Sequence, residues 1–212
     1  MSEERGKFIT VEGVEGAGKS TNLKVVKDYL SGQGIELIAT REPGGTIYSE
    51  RIRELLLSHM DEDLDPTAEL LLIFAARAQH INTLIKPALE SGTWVLCDRF
   101  TDATYAYQGA ARGLGADKVS QLEEFVQGSL RPDLTLILDV PVDVGMTRVD
   151  IRGDRDRFES EQRQFFEDVR AAYLDLASEF PERYSVIDTV QSLDSVKLDI
   201  CARLSKLFDL KD

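Results

Sequence analysis

One short stretch constrains this chain of 212 residues more than any other: Gly13-Val14-Glu15-Gly16-Ala17-Gly18-Lys19-Ser20-Thr21. It fits the pattern G-x-x-x-x-G-K-[ST] in full. Before it stands the apolar run Phe8-Ile9-Thr10-Val11, and after it Leu23, Val25, Val26, Tyr29 and Leu30 recur at helical spacing until Gly32 and Gly34. A strand, a glycine-rich turn and a helix in that order make a cradle for phosphate. The glycines let backbone N–H groups wrap the oxygens, and the helix N-terminus adds the positive end of its dipole. On this reading Gly13, Glu15, Gly16, Ala17, Gly18, Lys19, Ser20 and Thr21 surround the phosphates of a nucleoside triphosphate. Lys19 brings a point charge to the β- and γ-phosphates, and the Ser20 hydroxyl serves a Mg²⁺ ion.

The rest of the chain alternates short apolar runs with longer amphipathic ones. Ile35 to Thr40 reads as a second strand, and Ile52, Leu55 and Leu56 mark a second helix. A long helical stretch from Thr67 to about Ser91 is perturbed by Pro87. Trp94-Val95-Leu96-Cys97 and Leu134-Thr135-Leu136-Ile137-Leu138 are continuous apolar runs, as expected of parallel strands buried on both faces. Tyr184 to Ile187 is a last short strand and residues 193–208 a last helix. The pattern predicts a single domain, residues 1–212, with a three-layer α/β fold of the P-loop NTPase type: a mainly parallel sheet flanked by helices. Ligands of such sheets bind beyond the carboxyl ends of the strands, which directs attention to the residues just after 11, 40, 97 and 138.

Charge narrows the partners. Twenty-five Lys and Arg face 38 Asp and Glu, a formal net charge of −13. Such a surface repels nucleic-acid phosphates and anionic lipid heads, so neither nucleic acid nor membrane is expected as a partner. No apolar run approaches the roughly 18 residues that a membrane span needs, and Met1 to Lys7 has no apolar stretch of secretory type behind it. Cys97 and Cys201 are the only cysteines and read as reduced, small buried hydrophobes in a cytoplasmic protein. His59 and His80 are too few and too isolated for a metal site or a catalytic triad. No Asn-Lys-x-Asp guanine motif is present, and the chain is shorter than motor or transporter ATPases, so a small kinase is favoured over a switch or a motor.

Beyond the phosphate loop, several segments in order carry a resemblance. They are Thr40-Arg41-Glu42-Pro43-Gly44-Gly45-Thr46, Ala75-Ala76-Arg77, Asp98-Arg99-Phe100, Ala106-Tyr107-Gln108-Gly109 and Arg131-Pro132-Asp133-Leu134-Thr135. With the loop, they make the chain resemble the bacterial thymidylate kinases along nearly its whole length. The resemblance implies transfer of the ATP γ-phosphate to dTMP, giving dTDP and ADP with Mg²⁺, by a homodimer. It also implies roles. Arg77 hydrogen-bonds thymine, Thr104 and Gln108 read the base, Tyr107 screens against a ribose 2′-hydroxyl, and Glu15 meets the 3′-hydroxyl. Where many members place a Phe to stack on the base, this chain has Ile73 with Phe74 beside it. Asp188-Thr189-Val190-Gln191 is similar to the adenine-side loop.

The same residues can be read from their chemistry. Asp98 and Arg99 end a strand at the mouth where phosphates meet, so Asp98 can hold the Mg²⁺ shell and Arg99 can bridge donor and acceptor phosphates; a structural ion pair is the other reading. A strong general base is not required, because a phosphate monoester with a second pKa of about 6 is already mostly dianionic near neutrality. Arg77 interrupts an apolar run and either snorkels to solvent or addresses a ligand. Glu42-Pro43-Gly44-Gly45 reads as a rigid turn with Pro43 lining the acceptor site, and either Arg41 or Arg53 can serve the acceptor phosphate. A kinase for another nucleotide or deoxynucleoside, and a non-catalytic nucleotide-binding module, are the rival functions.

Arg148, Arg152, Arg155 and Arg157 crowd a polar stretch between two helical patterns. They describe either a solvated loop balanced by Asp150, Asp154 and Asp156, or a mobile lid over about 149–158 that supplies arginine to the transferring phosphoryl group. The phosphate loop has no Arg between Gly13 and Gly18, and members of the family lacking it typically carry that charge in the lid. Arg152 and Arg157 fit the family's lid pattern, and with Lys19, Asp98 and Arg99 they complete the expected catalytic set. Replacing Arg152 by alanine is expected to lower kcat by orders of magnitude with little change in ATP affinity. Steady-state kinetics beside direct ATP-binding measurements check this, and an unchanged kcat rejects the role.

Overall fold

The structure is a computed structural model and describes residues 5–153 and 156–209. Five strands form one sheet: β1 Phe8–Glu12, β2 Leu37–Arg41, β3 Trp94–Asp98, β4 Leu134–Asp139 and β5 Tyr184–Asp188. Their order is β2-β3-β1-β4-β5, and every pairing is parallel. The continuous apolar runs behave as parallel strands should. β1 is buried along its whole length, as is β4 up to Leu138, because helices cover both faces. Alternation within β1 sends Ile9 and Val11 into the larger apolar cluster and Phe8 into a second one with Ile81, Ile85, Leu89, Val95, Cys97 and Phe100. Each fully buried aliphatic or aromatic side chain contributes about 1.5–3 kcal/mol, so the strand ends are fixed firmly against their neighbours.

The helices are α1 Lys19–Gly32, α2 Ile47–Leu57, α3 Pro66–His80, α4 Lys86–Glu90, α5 Thr101–Thr104, α6 Ala116–Gln127, α7 Val142–Arg152, α8 Arg163–Glu179 and α9 Leu193–Asp209. The long helix expected over 67–91 is interrupted. Between α3 and α4, residues Ile81–Ile85 widen into a π-helical turn in which the Lys86 N–H reaches back to the Ile81 carbonyl. Pro87 supplies the reason: it has no N–H to donate, and its ring crowds the carbonyl four residues earlier. A second π-helical segment, Tyr105–Ala111, follows α5, and it and α6 stand outside the elements expected from periodicity. Small and polar residues dominate 101–111, so no apolar stripe announces a helix there. α7 runs on to Arg152, so residues 149–152 of the expected lid are helical.

The topology fixes where a ligand goes. From β1 the chain passes to β2 on one side, and from β3 it crosses to β4 on the other, so the crevice opens between the carboxyl ends of β1 and β3. These ends are adjacent in register, Val11 against Asp98. The phosphate loop leaves one of them and Arg99 the other.

Candidate active site

The phosphate loop keeps its shape through backbone that only glycine supplies. Gly16 has φ +72°, and a Cβ there would stand 2.0 Å from the Gly145 carbonyl oxygen of α7. Lys19 Nζ lies over the loop, donating to the carbonyls of Gly13 and Val14 at 3.3 and 3.5 Å. Burial and then the Arg99 guanidinium lower the Lys19 pKa, against the opposing pull of Glu15, Asp98 and Glu12. Ala17 is fully buried beneath the loop. Arg148 of α7 donates to the carbonyls of Gly16 and Thr189, both at 3.1 Å, and so brings the 188–191 turn beside the loop.

A cavity of about 580 Å³ runs from the loop across the ends of β1 and β3. Glu15, Gly16, Gly18, Lys19, Ser20, Thr21, Pro43, Ile73, Arg77, Asp98, Arg99, Thr104, Tyr107 and Gln108 all line it, as do Arg41 and Arg53. At its centre Arg99 has φ +67°, the only positive φ of a non-glycine residue among the described ones. That conformation costs about 1–3 kcal/mol and persists only where neighbours over-determine it. Here Nη2 donates to Glu15 Oε1 at 2.8 Å, Nη1 donates to the Tyr173 hydroxyl at 3.1 Å, and the guanidinium lies 4.7 Å from the centre of the Tyr107 ring. The Tyr107 hydroxyl in turn donates to both Glu15 oxygens, at 2.9 and 2.7 Å.

Behind Arg99 stands Glu12, buried completely at the end of β1. Its Oε1 accepts the Phe100 N–H at 2.6 Å and its Oε2 the Tyr173 hydroxyl at 2.7 Å. Asp98 Oδ1 is buried and has no protein partner among the described residues. An orphaned carboxylate oxygen on the cavity wall, with the Ser20 hydroxyl lining the same cavity, suits a hard cation. Mg²⁺ takes few protein ligands and completes its shell with phosphate oxygens and water. The residues fit that ion.

The far end of the cavity belongs to Arg77, whose guanidinium is buried. Nε donates to Glu42 Oε2 at 2.7 Å, and Nη2 to Thr104 Oγ1 at 2.9 Å and the Phe100 carbonyl at 3.2 Å. His80 holds the other Glu42 oxygen at 3.0 Å. Nη1 of Arg77 has no partner among the described residues. The snorkelling alternative is thereby excluded: this arginine points inward. Arg41 is tied to Glu50 at 2.8 Å and stays half-exposed, whereas Arg53 is engaged at 2.9 Å by the Pro43 carbonyl. Burial, then Arg41, lowers the Arg53 pKa.

Phe74 and Arg157, named with the expected site residues, do not reach the cavity, and Gly13 and Ala17 of the loop are buried and absent from its lining. Phe74 is buried behind Arg77, its ring centre 4.8 Å from the guanidinium carbon, and only Ile73 reaches the cavity. Helical geometry is the reason, because adjacent positions point about 100° apart. Phe100, which also lines the cavity with its ring centre 5.3 Å from the Arg77 guanidinium, is the aromatic on that wall. Arg157 is absent from the cavity lining; it donates to Glu69 Oε2 at 2.5 Å and to the Leu56 carbonyl at 2.8 Å. The side chain of Arg152 and the whole of Arg155 lie outside the described residues. Glu12, Glu42 and Tyr173 are supporting residues that sequence reasoning missed. Glu42 stands inside a quoted motif and Glu12 directly before the phosphate loop, while Tyr173 on α8 gives no local signal.

A phosphate loop facing an arginine-lined acceptor pocket across a parallel sheet defines a P-loop phosphotransferase. The comparisons narrow the class. The profile described as Thymidylate kinase matches residues 11–200. A thymidylate kinase of Ectopseudomonas mendocina is 58% identical over 96% of this chain and 97% of its own, and one of Pseudomonas putida 57% identical over 94% and 95%. The crystal structure of thymidylate kinase from Ehrlichia chaffeensis superposes with a TM-score of 0.76 at 35% identity, covering 94% of this chain and 99% of that one. The chain belongs to the thymidylate kinase family, enzymes that phosphorylate dTMP to dTDP.

The buried carboxyl behind Arg99 has a measurable signature. Burial first, and Asp102 second, push the Glu12 pKa up to about 8 against Arg99 and the two hydrogen bonds it accepts. A folded-state pKa above the ordinary carboxylate value means the folded state binds this proton more tightly. The stability it contributes is present at acid pH and is lost as pH rises through about 8. Glu12→Gln cannot titrate, so its melting temperature is expected to fall less than that of the wild type between about pH 5 and pH 9. Parallel declines in calorimetry assign the titration to another group.

Proposed function

We propose that the protein transfers the γ-phosphoryl group of ATP to dTMP, with ATP seated on the phosphate loop and dTMP at the Arg77 end of the same cavity. One observation carries the reading. The pocket that Lys19 lines is lined also by Arg77, whose Nη1 is a buried donor without a partner among the described residues, one that a thymine O4 would satisfy. Ile73 and Phe100 supply apolar packing for the base, and Thr104, held by Arg77, keeps the guanidinium in place.

Phosphoryl transfer depends on alignment and charge neutralisation more than on proton removal. Lys19 faces the β- and γ-phosphates, and Arg99 stands between donor and acceptor. Arg53, held by a carbonyl and not by a carboxylate, is the cation free to take the acceptor phosphate; Arg41 already has Glu50. Glu15, fixed by Arg99 and Tyr107, offers an acceptor to the sugar hydroxyl while leaving the phosphates to the loop. Ser20 and Asp98 would hold Mg²⁺, which supplies neutralisation of the developing charge when bound. Arg152 and the 149–158 segment, on this reading a lid on a single domain, deliver further positive charge from the end of α7.

The working form is a cytoplasmic homodimer. In support of that, α2 and α3 pack together yet leave Ile47, Tyr48 and Leu71 exposed, an apolar face suited to a second copy. No helix of the described residues is long and apolar enough to cross a membrane.

The test is ADP production from ATP and Mg²⁺ with dTMP, dUMP, AMP, CMP, GMP and thymidine offered separately. Turnover is expected to prefer dTMP strongly. Preference for another acceptor rejects the base assignment, and ATP binding without acceptor-dependent turnover rejects the enzyme. Within the same assay Arg53→Ala is expected to raise KM for dTMP about 10- to 100-fold, the loss of a charge-assisted hydrogen bond, with the KM for ATP little changed. Arg41→Ala is expected to alter KM for dTMP much less.

A further inference from the structure

Glu69, in the first turn of α3, is fully buried and gathers three side chains from outside its own helix. Gln108 Nε2 donates to Oε1 at 2.7 Å, Arg112 Nε to the same oxygen at 3.4 Å, and Arg157 Nη2 to Oε2 at 2.5 Å. A carboxylate accepts hydrogen bonds and donates none, so only the amide nitrogen of Gln108 can face it. The carbonyl oxygen of Gln108 is therefore the end left for the cavity that this residue lines. On the same wall, Arg77 Nη1 is an unpartnered donor.

We propose that Glu69 is the positioning residue that sets base specificity. By holding the amide of Gln108 one way round, it makes the pocket present one donor, from Arg77, beside one acceptor, from Gln108. That pair complements the edge of a 4-oxo pyrimidine, whose O4 accepts and whose N3–H donates. A 4-amino pyrimidine offers the reverse pattern and leaves both protein groups unpaired. A site of buried, oriented polar groups discriminates far more sharply than an apolar one, because each mismatch strands a group that has lost its water. The inference rests on the assignment of the Arg77 end to the acceptor base.

E69Q tests it with almost no change of shape. Arg157, the closer guanidinium at 2.5 Å against 3.4 Å for Arg112, draws the carbonyl oxygen of the new amide to its own side, so the nitrogen takes the place of Oε1 and faces Gln108. Gln108 must then turn its own oxygen to that nitrogen and show its NH₂ to the base. The kcat/KM for dTMP is expected to fall about 10- to 100-fold, and the dTMP-to-dCMP ratio to fall at least about tenfold, with KM for ATP within about twofold of the wild type. The double variant E69Q/Q108E moves the charge to the other side of the contact. Residue 108 again presents an oxygen to the cavity, so the dTMP-to-dCMP ratio is expected to recover. Glu69 as a simple anchor for Arg157 and Arg112 predicts neither the loss nor the recovery, since the swap does not restore that anchor.

A folded E69Q enzyme with an unchanged ratio overturns the proposal, as does a lost ratio that the double variant does not recover. Should E69Q fail to fold, the charge-conserving double variant decides alone: a wild-type ratio supports the proposal and a collapsed one overturns it. A wild-type enzyme that uses dCMP as readily as dTMP overturns the acceptor assignment itself, and this inference with it.

Discussion

A single buried carboxyl group, that of Glu12, organises the centre of the site. It closes the most deeply buried strand, and the polar groups around it have no water to fall back on, so each of its oxygens commits to a partner. One oxygen holds the Phe100 N–H and thereby the turn out of β3. The other holds the Tyr173 hydroxyl, which receives a hydrogen bond from Arg99. Arg99 is thus kept in a left-handed backbone conformation and aimed across the crevice to Glu15. From Glu15 the network continues to Tyr107, so β1, the phosphate loop, the β3 turn, the second π-helical segment and α8 share one run of hydrogen bonds. Preorganisation of this kind places charge before the phosphates arrive, and no reorganisation is then required when charge develops.

The acidic balance of the chain sharpens the point. With a net charge of −13, a site for two highly anionic substrates must concentrate its positive charge locally. Arg41, Arg53, Arg77, Arg99, Arg148 and Lys19 all line one cavity. Most of these cations are restrained by carboxylates or carbonyls, and those partners sort them. Arg77 and Arg99 pair with acidic side chains, buried Glu42 and half-buried Glu15, and are locked in direction. Arg53 and Arg148 lean on carbonyl oxygens, which orient a guanidinium without neutralising it.

Much of this was legible in the sequence, for identifiable reasons. The phosphate loop, the parallel strands and the positions of Asp98 and Arg99 follow from local patterns: glycine spacing, uninterrupted apolar runs and charges at strand ends. Arg77, inside a helix, is open to snorkelling on its residues alone, and the family resemblance supplies its inward role. What the sequence hid is of two kinds. The first is helical structure built from residues with no apolar stripe, as in 101–111, where tertiary contacts and not periodicity decide. The second is long-range pairing. Nothing local says that Tyr173 reaches Glu12 over 161 positions, or that Arg157 turns to Glu69 over 88. Phe74 against Ile73 belongs with these, because a one-residue step on a helix decides which side chain meets the cavity.

The arginine-rich stretch acquires a different meaning once its partners are known. Its first member, Arg148, is pinned to the phosphate loop and the 188–191 turn. Its last member, Arg157, is pinned to Glu69, which also holds Gln108 at the acceptor end. Asp156 before it and Phe158 and Glu159 after it line the cavity. Glu69 is likewise held on both of its oxygens, by the Gln108 amide on one and by Arg157 on the other. Among the described residues the stretch is held at both of its ends, Arg148 by two backbone carbonyls and Arg157 by Glu69 and the Leu56 carbonyl.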